Sequence, residues 1–279
     1  QRPHNSIQFL FSSAPPRNLL EFFMALSLPT RVNWSPIQRY LELLQILVER
    51  NLKGRYRGSF LGVYWSLLNP LIMTGIYAAI FGAAFASFYG SALNYVLAAF
   101  TGLLVINFFS ASTSQALSSV VASGGLMNKI KLPISVFPLS MIVANVFQFV
   151  VGPLPLLAIV TIYKSWESGW WFVNAISLFF PLLALSLVCT GVGFFVSALY
   201  VFFRDLPYFY ELVTFMLWIV SPIFYPSEIV PEQVRRFLVI NPLLPIIDSI
   251  RQISLSGDLP ESGLIVHGLL NGLILLALG

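Results

Sequence analysis

From Gly58 to Asn128 the chain reads GSFLGVYWSLLNPLIMTGIYAAIFGAAFASFYGSALNYVLAAFTGLLVINFFSASTSQALSSVVASGGLMN, without an Asp, Glu, Lys, Arg or His. Soluble domains draw about a quarter of their residues from the charged types. The whole chain has only 9% charged residues and 57% hydrophobic residues. A transmembrane helix needs about 20 mostly apolar residues to cross a hydrocarbon core about 30 Å thick. The stretch therefore predicts two membrane-spanning helices joined by a short connection.

Similar charge-free stretches follow and predict further spans. They run from Leu132 to Tyr163, from Ser168 to Phe203 and from Leu212 to Ser227. In the final segment, from Ser262 to Gly279, His267 is the only residue of the types Asp, Glu, Lys, Arg and His. A charge at the centre of a transmembrane helix costs about 2.5–3.5 kcal/mol on insertion scales, so charged clusters mark loops. We therefore predict an all-α integral membrane protein. Its six transmembrane helices are expected near residues 61–85, 94–114, 134–163, 170–199, 206–223 and 264–279. Pro153, Pro155 and Pro181 predict kinks or breaks in the third and fourth of them.

The segments outside these spans have patterns of their own. Residues 1–33 show no sustained period and are predicted to form a flexible N-terminal extension, whereas residues 34–279 form a single transmembrane domain. Apolar residues at helical spacing in 37–48 predict an amphipathic interfacial helix. A similar pattern within 226–260 predicts two short external re-entrant helices before the last span. That span is short for a crossing, so we expect the natural chain to continue beyond Gly279.

The positions of Lys and Arg predict the orientation, because short cytoplasmic loops are enriched in these residues. With a cytoplasmic N-terminus, the short outer loops carry only Lys164. The short inner segments then carry Arg50, Lys53, Arg55, Arg57, Lys129, Lys131 and Arg204. We therefore expect a multi-pass protein with its N-terminus inside and with Ser91, Trp166 and the 226–260 segment outside.

No motif for catalysis, cofactor binding or metal binding is present. The sequence lacks a G-x-x-x-x-G-K-[ST] phosphate loop, an H-E-x-x-H helix and a G-x-S-x-G elbow. Cys189 is the sole cysteine, which excludes an intrachain disulfide and a cysteine-based zinc site. Glu211 is expected to reach the cytoplasmic surface rather than act as a buried carboxylate. We predict no catalytic, cofactor-binding or metal-ligating residues.

Four segments, in order along the chain, resemble the type-2 ABC export permeases. They read RNLKGRYRGSFLGVYWSLLNPL from Arg50, LMNKIKLPISVFPLS from Leu126, VFFRDLPYF from Val201, and SPIFYPSEIVP from Ser221 with NPLLPIID from Asn241. Within that family the chain is most similar to the subunit that exports lipid-linked O-antigen, capsule or teichoic-acid polysaccharide.

The resemblance implies a homodimeric permease in the bacterial inner membrane that works with two copies of a cytoplasmic ABC ATPase subunit. ATP and magnesium would then bind the ATPase, and the substrate would be a lipid-linked polysaccharide rather than nucleic acid. A drug or lipid exporter of the same class is the nearest alternative. A membrane-embedded enzyme of glycan or lipid synthesis is another, but it should show paired carboxylates or a basic–acidic cluster near a membrane face. A passive channel is a third.

The resemblance also implies a coupling helix in the turn between the second and third spans, which rests on the ATPase. It maps to Gly124, Gly125, Leu126, Met127, Asn128, Lys129, Ile130 and Lys131. Gly124 and Gly125 can break the descending helix, and Pro133 can begin the next one. The alternative is a positively charged anchor without a partner. We favour coupling, because Leu126, Met127 and Ile130 would otherwise be exposed on a loop.

By the same resemblance, Arg55 and Arg57 lie at the substrate entrance before the first span. Guanidinium groups bind phosphate bidentately, so both could meet the pyrophosphate that links lipid to glycan. They could equally contact anionic headgroups. Gly58 and Gly62 form a small-xxx-small pair that would permit close helix contact.

Aromatic residues form two stripes at helical spacing. The first consists of Tyr77, Phe81, Phe85 and Phe88, and the second of Phe215, Trp218 and Tyr225. An aromatic side chain packs well on the apolar C–H face of a sugar ring. Taken together with the resemblance to polysaccharide export permeases, the two stripes predict the lining of a glycan channel. The alternative is an aromatic belt at the membrane interface.

Overall fold

Hydrophobic helices account for the regular structure of the part of the chain that the computed structural model describes. The described residues are 36–127, 132–166, 169–226, 229–233, 238, 241–257 and 259–279. Within them the main helices are α1 (Pro36–Tyr56), α2 (Trp65–Phe85), α3 (Ala92–Ala122), α4 (Gly124–Met127), α5 (Val136–Val151), α6 (Pro153–Ser165), α7 (Trp171–Ser177), α8 (Phe179–Phe202), α9 (Leu206–Val220), α10 (Leu244–Arg251) and α11 (Ser262–Leu278). Short 3₁₀ turns extend α2 at both ends, over Gly62–Tyr64 and Ala86–Tyr89, and a π turn, Gln252–Ser256, follows α10.

Three helical stretches of the described chain are long and apolar enough to cross a membrane, namely Gly62–Tyr89, Ala92–Ala122 and Trp171–Phe202. A fourth crossing results if the bent pair α5 and α6 is taken as one span. The helices α9 and α11 have 15 and 17 residues. At 1.5 Å per residue they extend about 22–26 Å, less than the hydrocarbon core. The predicted all-helical, apolar character is confirmed, while the last two predicted spans are shorter than a full crossing.

The helix α3 is longer than the predicted span 94–114 because its polar C-terminal third remains helical. The Thr113 hydroxyl donates to the Phe109 carbonyl at 2.7 Å, and the Ser119 hydroxyl donates to the Ala116 carbonyl at 2.6 Å. Such bonds to carbonyls three or four residues earlier satisfy a hydroxyl inside an apolar helix. The helix therefore continues to Ala122, beyond the predicted span and close to the glycines expected to end it.

The predicted break in the third span lies between Gly152 and Pro153. The α5 and α6 axes differ there by 42°. Proline cannot donate the backbone hydrogen bond that would continue α5. A side chain at Gly152 would collide with the Ser66 hydroxyl oxygen, 2.6 Å from the Cβ position, so glycine also permits a close approach to α2. The bend is confirmed at Pro153.

The core surrounds α3, which packs against α2, α5 and α8. Its largest cluster joins aliphatic and aromatic side chains of α3, α5, α8 and α10, among them Leu103, Ile106, Ile142, Leu185 and Ile247. On the far side of α8, Gly191 and Gly272 let α11 approach closely, since a Cβ at Gly191 would overlap the backbone of Leu275. Residues Tyr40–Gly279 form one compact unit.

Different side-chain contacts hold the segments together at the two ends of this unit. At one end, Lys164 donates to the Asn94 side chain at 2.8 Å, and Asn174 donates to the Gly257 carbonyl. Asn174 also donates to the Ser165 hydroxyl at 2.9 Å, so the beginning of α3, the end of α6, the helix α7 and the segment before α11 lie together. These are the segments for which the charge pattern predicts a common side of the membrane. At the other end, α1 packs near the beginning of α5, where the Tyr40 and Ser135 hydroxyls are 3.3 Å apart.

Candidate functional site

Arg55, a predicted entrance residue in the last turn of α1, is held by amide side chains of α3 and α5. Its Nη1 donates to Asn145 Oδ1 at 2.9 Å and to Gln148 Oε1 at 2.5 Å, and its Nη2 donates to Gln115 Oε1. Asn145 also donates to Gln115 Oε1 at 2.9 Å. The guanidinium is thus connected to two apolar helices through neutral side chains.

A cavity of about 570 Å³ opens beside Arg55. Polar residues Ser66, Asn69 and Asn107 line it together with aromatic Trp65 and Phe108. Polar groups inside a transmembrane bundle are costly and commonly mark a substrate or ion path. The cavity therefore identifies this end of α2 and α3 as a place where a polar ligand group can be accommodated.

Arg57, the second predicted entrance residue, is exposed. It lies in the turn after α1, where Gly58 and Gly62 have φ angles of +79° and +51°. Apart from the chain neighbours, no atom of the described residues lies within 4 Å of the position that a Cβ would occupy at either glycine, so the predicted close helix contact at this pair is wrong within that part of the chain. Both glycines serve the turn, because a positive φ is strained for residues with a Cβ.

The structure brings the two aromatic stripes into direct contact. Phe88, Phe85, Phe81 and Tyr77 form a continuous row, with successive ring centroids 6.4, 6.1 and 6.2 Å apart. Tyr77 then meets Trp218 at 6.0 Å, and Trp218 meets Phe215 at 6.4 Å. We call these six rings and Phe224 the aromatic row.

Phe224 joins the two stripes although sequence reasoning omitted it. Its ring stacks on Tyr77 with centroids 3.7 Å apart and lies 5.0 Å from Trp218. Tyr225, which was predicted to line the channel, donates its hydroxyl to the Ile219 and Val220 carbonyls instead. The helical spacing that selected Tyr225 does not apply to it, because α9 ends at Val220 and the chain then turns.

Side chains from three other elements hold the turn between α9 and Phe224. Arg251 Nη2 donates to the carbonyls of Pro222 at 2.7 Å and Ile223 at 3.1 Å, and also to Ala98 in α3 at 3.2 Å. Asn241 donates to the Ser221 hydroxyl, and the Tyr95 hydroxyl donates to the Phe224 carbonyl. The turn that carries Phe224 is thereby fixed to α3 and α10.

The coupling residues Gly124, Gly125, Leu126 and Met127 form the short helix α4. The break after α3 falls at Ser123, one residue before the predicted glycines, and the next helix begins at Val136 rather than at Pro133. The other four predicted coupling residues, Asn128, Lys129, Ile130 and Lys131, lie outside the described residues.

Leu126 and Met127 are partly buried rather than exposed on a loop, so that reason for favouring coupling is wrong for these two residues. Both are partly buried against a cluster of Leu47, Val120, Val136 and Phe137, which joins α1 to the ends of α3 and α5. The apolar side of α1 faces this cluster. The coupling assignment must therefore rest on other features of the segment.

Sequence reasoning also missed Gln115, Asn145, Gln148 and Arg251. The first three had a signal: they are isolated amides within otherwise apolar stretches, and Asn145 and Gln148 are spaced for one helix face. Among the described residues, no group of three His, Cys, Asp or Glu side chains could hold a metal ion.

Long apolar helices packed around α3, with polar side chains gathered at a cavity, define an integral membrane protein with several spans. Comparison with known families identifies the class of membrane protein. This chain belongs to the ABC-2 type transporter family, which matches residues 42–255.

Relatives within the family have names that describe polysaccharide transport. The O-antigen export system permease protein RfbA of Klebsiella pneumoniae is 30% identical over 220 residues, which is 78% of this chain and 82% of that protein. The protein of the same name in Myxococcus xanthus is 30% identical over 231 residues, 81% and 85% of the two chains. The polysialic acid transport protein KpsM of Escherichia coli is 22% identical over 229 residues, 78% and 83%.

Proposed function

We propose that this chain is the transmembrane subunit of an ATP-driven exporter that moves lipid-linked, O-antigen-like polysaccharide across a bacterial inner membrane. The observation that carries the proposal is the similarity to two O-antigen export permeases, each aligned over more than four fifths of its length. The aromatic row supports it, because a continuous series of rings suits the apolar faces of sugars.

The exporter is proposed to contain two copies of this chain and two copies of a cytoplasmic ABC ATPase that binds ATP and magnesium. The N-terminus is cytoplasmic, so that the end with Lys164 and Gly257 lies outside. Large apolar side chains of α2 and α9 are exposed in the single chain, among them Ile72, Ile76, Ile80, Met216 and Ile219. These faces suit contact with a second copy or with lipid.

Coupling to the ATPase is proposed to use residues 124–131. Gly125 is exposed at the tip of α4. Because Leu126 and Met127 pack in the same cluster as Leu47 of α1, a displacement of α4 would move the helix that carries Arg55. ATP-driven movement would thus reach the entrance formed by Arg55 and Arg57.

The substrate is proposed to enter beside Arg55 and Arg57 with its phosphate groups and to leave along the aromatic row. The residues assigned to that path are Tyr77, Phe81, Phe85, Phe88, Phe215, Trp218 and Phe224, with Tyr225 at the edge of the turn. Because the rings are uncharged, they would not hold a passing polymer by strong electrostatic attraction. Their apolar faces are proposed to keep lipid out of the path.

Deletion of the gene in the source organism tests the function. We expect loss of surface polysaccharide and accumulation of lipid-linked glycan on the cytoplasmic side, both reversed by the wild-type chain. The purified complex should contain the permease and its ATPase in a two-to-two ratio. Unchanged surface polysaccharide in the deletion strain would favour a drug or lipid exporter instead.

A further inference from the structure

Three amides fix the orientation of the Arg55 guanidinium. A guanidinium only donates hydrogen bonds, so Gln115, Asn145 and Gln148 must each turn an oxygen atom toward it. The Asn145 amide nitrogen is itself used, because it donates to the Met141 carbonyl at 2.8 Å and to Gln115 Oε1. We call these three side chains the amide cage. The cage holds the arginine in one place with defined geometry.

The amide cage leaves the positive charge of Arg55 without compensation. A carboxylate at any of the three positions would accept the same hydrogen bonds and add a negative charge. The ion pairs of the described residues are Lys53 with Glu49 and Arg251 with Asp248, and neither includes Arg55. A half-buried cation without an anionic neighbour attracts an anionic ligand more strongly than a paired one does.

The cavity at Arg55 has room and further donors for such a ligand. Its volume of about 570 Å³ lies within the range of small-molecule sites, about 300–1,000 Å³. Asn69 and Asn107 line it and can bond hydroxyl groups. The Tyr56 hydroxyl also belongs to a lining residue and is buried beside Arg55. Burial raises the pKa of Tyr56 more than the neighbouring Arg55 lowers it.

We propose that Gln115, Asn145 and Gln148 make the Arg55 cavity selective for an anion, and that this anion is the phosphate of a lipid headgroup. The three amides are positioning residues: they orient the guanidinium and leave its charge for the ligand. The proposal rests on the proposed function, in which Arg55 is at the substrate entrance. The proposed anion site includes Arg55, which lies in the amide cage beside the cavity, and does not include the exposed Arg57.

The substitution Gln148→Glu distinguishes an anion site from a structural tether. Glutamate has nearly the shape of glutamine and would bind Arg55 through a salt bridge, so a tether would hold as well as before or better. An anion site would lose its net positive charge. Gln45→Glu on the exposed part of α1 is the matched control, because it makes the same chemical change away from the cavity.

The binding experiment uses the permease–ATPase complex in nanodiscs of phosphatidylcholine. The probes are polyprenyl diphosphate, phosphatidylglycerol and neutral polyprenol. We expect wild type and Gln45→Glu to bind polyprenyl diphosphate and not polyprenol. Gln148→Glu should bind the diphosphate about ten- to one-hundred-fold more weakly, which is the effect of losing one charge-assisted contact. The yield and the Tm of the complex should stay unchanged. Arg55→Gln should show the same loss. Equal affinity in wild type and Gln148→Glu would overturn the proposal.

The two phosphate sources give different results. Tighter binding of polyprenyl diphosphate than of phosphatidylglycerol assigns the site to a glycan carrier, and equal binding of both assigns it to membrane phospholipid. Surface polysaccharide, measured in cells with the same variants, tests the proposed function separately. Weakened binding with normal surface polysaccharide would retain the anion site and contradict its role in export. Unchanged binding with lost surface polysaccharide would overturn the anion site and leave the export function standing.

Discussion

Arg55 and Arg251 are both held by neutral oxygen atoms, but their surroundings differ. Arg251 donates to backbone carbonyls of Ala98, Pro222 and Ile223, and only 12% of its side chain is exposed. Arg55 donates to three side-chain amides and lines a cavity of about 570 Å³. Arg251 also has a carboxylate nearby, at 3.9 Å in Asp248.

The difference separates a structural arginine from a ligand-binding one. Backbone carbonyls in an irregular turn need donors whether or not a ligand is present, and Arg251 supplies them. Of the amides around Arg55, Asn145 and Gln148 line the cavity, and Asn145 keeps its bonds to Gln115 and to the Met141 carbonyl when the arginine is removed. Loss of Arg251 should therefore reduce stability, whereas loss of Arg55 should reduce transport.

The largest expected effect is that of Arg251→Met. The substitution keeps the apolar stem but leaves the Pro222 and Ile223 carbonyls without their donor, and an unsatisfied buried acceptor costs about 1–3 kcal/mol. We expect a loss of about 3 kcal/mol in the free energy of unfolding. Thermal unfolding of the purified chain in detergent measures it.

Arg57→Met is the control for this change, because Arg57 is exposed and its loss should alter stability by less than about 0.5 kcal/mol. Equal stability of the two variants would remove the structural role of Arg251 and with it the contrast between the two arginines.

A smaller effect is expected at Gly102, which allows α3 to approach the Arg251 turn. A Cβ there would lie 3.0 Å from Ile223 Cγ2, 3.3 Å from Ile223 Cα and 3.4 Å from Arg251 Nη2. Because the Ile223 carbonyl is itself fixed by Arg251, the turn cannot easily move away. We expect Gly102→Ala to destabilise the protein by about 1 kcal/mol through overpacking.

Gly75→Ala in α2 is the matched control, since outside its own helix turn no atom of the described residues lies within 4 Å of its Cβ position. There the better helix propensity of alanine should leave stability equal or up to about 1 kcal/mol higher. A stabilising Gly102→Ala, measured in the same unfolding assay, would show that the turn is not held as rigidly as the Arg251 contacts indicate.

The aromatic row should affect transport more than stability. Replacing Phe81, Phe85 and Trp218 by Leu keeps apolar character and much of the volume, so the chain should remain inserted and assembled. Without the flat rings, we expect surface polysaccharide to fall several-fold while the basal ATPase activity of the complex persists. Wild-type surface polysaccharide at equal protein abundance would assign the rings to an interfacial belt.

Much of the fold could be predicted from the sequence because the bilayer tolerates few charges. The beginnings of α9 and α11 fall within two residues of the predicted spans, and the bend at Pro153 was expected from proline chemistry. The apolar pattern placed the end of the second span at residue 114, because the Ser and Thr that follow are polar, although their hydroxyls bond the helix backbone.

The site was predicted less completely. Helical spacing could identify Tyr77, Phe81 and Trp218, because residues on one face repeat at fixed intervals. It could not identify Phe224, which reaches Tyr77 only through the irregular turn held by Arg251. Nor could local patterns show that Gln115 and Gln148, distant in the sequence, converge on Arg55.

Reconstituted transport tests the central claim most directly. The permease and its ATPase are placed in liposomes with a lipid-linked glycan in the cytoplasmic-facing leaflet, and the glycan that becomes accessible to an impermeant lectin on the other side is measured. We predict ATP-dependent transfer by the wild-type complex, and transfer reduced at least ten-fold in an Arg55→Gln complex of equal abundance and stability. Transfer that does not require ATP, or that is absent from the intact wild-type complex, would contradict the account.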